Sequence, residues 1–198
     1  MTTQEILAFV VAVIVLLGVP GPTNTLLAAS GATAGFSRSL RLVPAELGGY
    51  LTAITVLVGA IGPMIGGDPA ATAGLKLIAA VWLAISAVGL WRRGGDGVAG
   101  ADRPIGPARV YLTTLFNPKA MVVAFALLPP GPPDVLLGRV AIFAVLVVIV
   151  GSHWIWLGCL LAGAARQVVV PHRILRGASV ILGSFAVMLV GSVLSGSL

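Results

Sequence analysis

Six apolar runs divide this sequence from end to end, each close to the roughly 20 residues a helix needs to cross a bilayer. They cover residues 6–34, 43–61, 71–91, 110–128, 136–165 and 174–194, the first and fourth with interruptions. Away from water, a single run closes its backbone hydrogen bonds only as a helix, so the expected fold is an all-α polytopic membrane protein. Composition agrees. Apolar residues make up 58% of the chain and charged residues 9%, with a mean hydropathy of +1.08, which leaves too little charge to cover a soluble surface. The 198 residues hold about six spans and their connections, with no length left for a sizeable soluble domain. The segment Met1 to Glu5 lacks the positive region of a signal peptide, and no small-residue cleavage pattern follows, so the first run is expected to stay as a span.

The arginines give the expected orientation. Connections after the first, third and fifth runs share one side. They hold Arg38 and Arg41; Arg92, Arg93, Arg103 and Arg109; and Arg166, Arg173 and Arg176 beside His172. These are nine of the 12 basic residues; Lys76 and Arg139 stand at span ends on the other side, and Lys119 within a span. Positive residues stay cytoplasmic, so both termini are expected outside, which an even number of spans requires. The net charge of +6 does not indicate nucleic acid, because the arginines form no cluster interleaved with aromatics. Cys159 is the single cysteine and reads as a small buried hydrophobe. With no metal-ligand spacing and no phosphate-cradling glycine loop, no metal or cofactor is expected.

The breaks in two runs are more informative than the runs. The first is interrupted at Pro20-Gly21-Pro22-Thr23-Asn24 and the fourth at Phe116-Asn117-Pro118-Lys119. Proline inside a helix removes a donor and clashes with the preceding turn, and the freed backbone groups must face protein or water. The broken runs lead their respective halves: a first repeat over about 1–92 and a second over about 107–198, joined by a glycine- and charge-rich cytoplasmic loop at about 92–106. Three spans per half put the second half into the membrane upside down. Matching breaks in inverted repeats point to a midplane substrate site in secondary transporters. Pro22 and Pro118 suit first helical positions, and the helices that restart there would offer free amides and a positive dipole end. Pro20, Gly21, Pro22, Thr23, Asn24, Asn117, Pro118 and Lys119 are therefore the candidate substrate-binding residues, for a solute bearing a carboxylate.

Pro20-Gly21-Pro22-Thr23-Asn24-Thr25-Leu26-Leu27 resembles the PGP(x)NTLL signature of the LysE/RhtB family of amino-acid exporters. Phe116-Asn117-Pro118-Lys119-Ala120, followed by Leu127-Leu128-Pro129, is similar to that family's second motif. The resemblance extends over the whole chain in length, span number and central loop. It implies export of an amino acid or similar small metabolite across the bacterial cytoplasmic membrane, driven by the proton gradient. Two departures matter. Thr23 separates Pro22 from Asn24, and Met121-Val122-Val123-Ala124 has no aspartate where some lysine exporters carry one, which argues against a cationic substrate.

Ionisable groups at membrane depth are costly, and each is a functional candidate. Lys119 has two readings, a partner for a substrate carboxylate or a tie to the unwound carbonyls of the facing helix. His153 and Glu46 are candidate proton-coupling groups. Against these stand an imidazole bonded to a neighbouring helix, and an acid in the first turn of a helix or paired with Arg38 or Arg41. Trp91 beside Arg92 reads as an interfacial anchor; glycines such as Gly48, Gly49, Gly59, Gly183 and Gly191 read as places of close helix approach, compatible with a homodimer. An enzyme is not expected: Cys159 has no thiol partner, and no nucleophile–base–orienter set is present. A subunit without transport of its own would explain the spans but not the paired breaks.

Overall fold

The computed structural model describes residues 2–61, 68–92, 105–128, 131–164 and 172–195. Arg93, Arg103, Arg166 and Pro129, and most of the central loop, lie outside the described residues. All the regular elements among the described residues are helical. In chain order they are α1 (Thr3–Gly18), α2 (Pro22–Ala34), α3 (Phe36–Ser39), α4 (Val43–Ile54), α5 (Pro69–Arg92), α6 (Pro107–Leu115), α7 (Pro118–Val122), α8 (Pro133–Ala164) and α9 (His172–Leu194). A 3-10 turn, Leu40–Leu42, joins α3 to α4, and π-helical turns continue α4 over Thr55–Ile61 and α7 over Val123–Leu127.

Each element starts and stops for a local reason. Thr2 and Glu5 form a reciprocal capping box at the start of α1. Pro22 and Pro118 open α2 and α7, where a missing donor costs nothing. Gly35 closes α2 at φ 80°, a left-handed conformation that any side chain would strain. That single residue turns the chain from α2 into α3.

Three helices are long and apolar enough to cross a membrane: Phe36–Ala60, Pro69–Gly89 and Pro133–Ala162. Two helix pairs meet the same test of length and composition only when taken together, each bent at a short break. The pair Thr3–Gly18 and Pro22–Ala34 bends by 65°, and Pro107–Leu115 with Lys119–Leu127 bends by 49°. Counting each bent pair once gives five; α9 contributes the shorter apolar stretch Leu182–Leu194. The outward surface suits lipid, with Leu7, Ile78, Val81, Val145, Ile149 and Val187 all exposed.

The helices pair in a regular way. Most of the packing runs between α5 and α9, between α2 and α8, and between α4 and α6. Each broken crossing thus lies along the unbroken helix that follows the other break. Lipid tails are as apolar as leucine, so these contacts depend on close packing and polar bonds rather than on water exclusion. Gly31 and Gly158 provide it for α2 and α8: a Cβ on Gly31 would strike the Ile155 carbonyl, and one on Gly158 the Ala28 carbonyl. Gly49 does the same for α4 and α6, where a Cβ would lie 2.7 Å from the Tyr111 carbonyl oxygen. Among the described residues nothing lies within 4 Å of a Cβ built on Gly59, Gly183 or Gly191, so no described helix approaches closely there.

Candidate functional site

The two breaks meet, although nearly a hundred residues of sequence separate them. α1 ends with carbonyls pointing past its last turn, and such a terminus carries partial negative charge. Asn24, in the first turn of α2, folds back to donate through Nδ2 to the Leu17 carbonyl at 2.7 Å and the Val19 carbonyl at 2.8 Å. Lys119, in the first turn of α7, donates from Nζ to the same two carbonyls, at 3.2 Å for Leu17 and over a short bond for Val19. Both side chains are 2% exposed. An ammonium ion at membrane depth costs several kcal/mol unless it finds such acceptors. Of the two readings of Lys119, the structure shows the tie to unwound carbonyls.

A second strand of bonds runs beside the first. Asn117 caps α7 by accepting from the Lys119 amide at 3.1 Å, and its Nδ2 donates to Thr23 Oγ1 at 3.1 Å. Thr23 Oγ1 lies 3.1 Å from Thr114 Oγ1, and Thr114 donates to the Val110 carbonyl at 2.8 Å. Each hydroxyl has one proton. Since that of Thr114 goes to Val110, Thr23 must donate to Thr114, giving a directed chain Asn117, Thr23, Thr114, Val110. Thr23 and Thr114 are fully buried.

The two restarting helices are not equivalent. α7 has its first amide satisfied by Asn117, whereas Gly21 at the cap of α2 offers no side chain to the α2 amides. The start of α2 thus keeps its positive dipole end without a side-chain cap. Pro20 and Gly21 are buried beside it and Pro22 is exposed. Gly21 also leaves room for Lys119, whose Cε would lie 3.3 Å from a Cβ there.

Glu46 adjoins this cluster from α4. It is 2% exposed, its Oε2 has no hydrogen-bond partner, and the carboxylate lies against Gly151 of α8. A Cβ on Gly151 would collide with that oxygen. One helical turn on, Tyr50 is fully buried with its hydroxyl equally unpartnered, its ring edge-on to Phe143 at 5.5 Å. A buried polar atom without a partner costs about 1–3 kcal/mol, more when charged. Arg38 and Arg41 are exposed and supply no partner.

His153 is not brought to the cluster. It faces outward from α8, its ring 5.3 Å from Trp156 on the same helix. Trp91 instead takes the guanidinium of Arg176 over its ring at 4.9 Å, joining α5 to α9. Among the described residues, no group of three or more His, Cys, Asp or Glu is placed to hold a metal ion. Cys159 is half-buried, with Sγ 3.0 Å from the Gly31 carbonyl.

Sequence reasoning passed over Thr114 and Tyr50. Signals existed for both: Thr114 belongs to a polar pair just before the second break, and Tyr50 stands four residues after Glu46, on the same helix face. The π-helical turns that follow α4 and α7 carried no recognisable signal, yet they too are in contact. Compared with family models, curated proteins and solved structures, the chain matches none.

Proposed function

We propose that this chain is a secondary-active exporter of an amino acid or similar small carboxylate-bearing metabolite, working by proton antiport in a bacterial cytoplasmic membrane. It crosses six times, through α1–α2, α3–α4, α5, α6–α7, α8 and α9, as two inverted three-helix repeats with both termini outside. The observation that carries the reading is the meeting of two broken helices through buried polar side chains. Polar and irregular backbone at membrane depth is expensive, and it is tolerated where it serves a pathway. The alternation of packing partners between the halves supports the inverted repeat, since each broken crossing lies along the other half's second span. The motifs around both breaks resemble those of the LysE/RhtB exporters, which is the ground for naming an amino acid.

In this reading the substrate carboxylate docks at the uncapped start of α2, on the amides of Thr23 and Asn24. Thr23, Asn24, Asn117 and Lys119 are buried, so in this reading entry and release require the halves to part around the bonds that join them. Glu46 is the better proton carrier, because its carboxylate is buried with Oε2 unpartnered, whereas His153 is exposed. Purified protein in vesicles, loaded with a panel of labelled amino acids and given an imposed pH gradient, tests the proposal. At least one amino acid is expected to move faster than from empty vesicles, and faster with the gradient than without it. No movement of any panel member would refute the substrate class, and movement indifferent to the gradient at fixed membrane potential would refute antiport.

A further inference from the structure

The end of α1 is a place that favours a cation. The Leu17 and Val19 carbonyls sit where a helix terminus concentrates negative charge, and each already accepts from Asn24. Asn24 alone therefore satisfies both acceptors, so the Lys119 bonds are not needed to rescue an orphaned carbonyl. What the ammonium adds is positive charge. Its side chain crosses from the other half of the chain to supply it, passing Gly21, whose missing side chain leaves the space for Cε and Nζ.

We propose that the Leu17 and Val19 carbonyls form a binding site for a primary ammonium group, and that Lys119 is the resident occupant. The ligand class follows from the contacts. Two carbonyl oxygens converge on one nitrogen that carries three donors, and that nitrogen belongs to a primary ammonium. A tethered ammonium makes the break independent of any added cation, and an untethered one of the same chemistry takes its place when the side chain is cut back. The site rests on this geometry alone and stands whether or not the chain transports.

The test uses the thermal unfolding midpoint of the full-length protein in detergent, in methylammonium chloride or choline chloride at equal ionic strength. Choline has the same charge but no N–H and is too bulky for the slot. Wild-type protein is expected to melt at the same temperature in both salts. Lys119→Ala is expected to melt lower in choline and to regain at least about half of the loss, saturably, in methylammonium. Lys119→Met, which refills the slot without charge, is expected to respond to neither salt. Lys119→Ser, which also leaves the slot open, serves for the case in which the alanine variant does not fold, and it must show the same preference for methylammonium. The proposal is overturned if methylammonium restores Lys119→Ala and Lys119→Ser no better than choline, if wild type or Lys119→Met responds as strongly as they do, or if neither small variant folds in either salt.

Discussion

Gly158→Ala is the smallest change that should loosen the scaffold behind the breaks. The added methyl would stand on the Ala28 carbonyl oxygen, and only 2.7 Å from the Ala28 carbonyl carbon and 2.8 Å from its Cα. Ordinary contact begins at 3.4 Å, and these are backbone atoms of a helix, with no rotamer to yield. To clear the carbonyl oxygen, α2 must retreat from α8 by more than about 1 Å, an overpacking strain of about 1–3 kcal/mol. For a chain of this size that corresponds to a lowering of the unfolding midpoint by about 2–12 °C. Gly183→Ala and Gly191→Ala are the controls. A Cβ there meets nothing within 4 Å, so these should be neutral or slightly stabilising, since alanine is the better helix former. The assay is thermal unfolding of all three variants, purified in one detergent. If Gly158→Ala melts with the controls, α2 and α8 do not cross as closely as the structure has them, and the reasoning is wrong.

Asn117→Ala removes the α7 cap and the bond to Thr23 together, so it should destabilise by about 1–3 kcal/mol, measured as a lowered midpoint. Glu46→Gln keeps the shape of the side chain but not its capacity to release a proton; amino-acid counterflow should persist while acceleration by a pH gradient disappears, and retained acceleration would remove Glu46 from the coupling. His153→Ala, by contrast, should leave gradient-driven flux within about twofold of wild type, because the imidazole lies outside the buried cluster.

The apolar helices and their breaks were legible because they depend on local physics. Apolar length marks a span, and proline at a first helical position marks a restart; Pro22 and Pro118 stand at those positions in the structure. The partners of the buried polar groups were not legible. Lys119 meets carbonyls about a hundred residues away, and backbone acceptors leave no trace in sequence. Glu46 read more readily as a first-turn acid than as a proton site, and it does sit in the first turn of α4. Only the arrival of Gly151 from α8 shows that it is buried and unpartnered. His153 fails in the opposite way: its central place in an apolar run says nothing about which face of α8 it occupies. The glycines divide likewise, with Gly31, Gly49 and Gly158 in tight crossings and Gly183 and Gly191 in open space, a distinction that depends on the neighbouring helix.

The central claim is that the two breaks form one moving junction through which substrate passes. Thr23 and Thr114, whose hydroxyls lie 3.1 Å apart across that junction, allow it to be locked. With Cys159 replaced by serine, Thr23→Cys and Thr114→Cys together place two thiols where the hydroxyls meet, within reach of a disulfide. Vesicles carrying this protein should cross-link on oxidation, lose amino-acid flux in proportion to the linked fraction, and recover it on reduction. A disulfide that forms fully while flux continues unchanged would contradict the account.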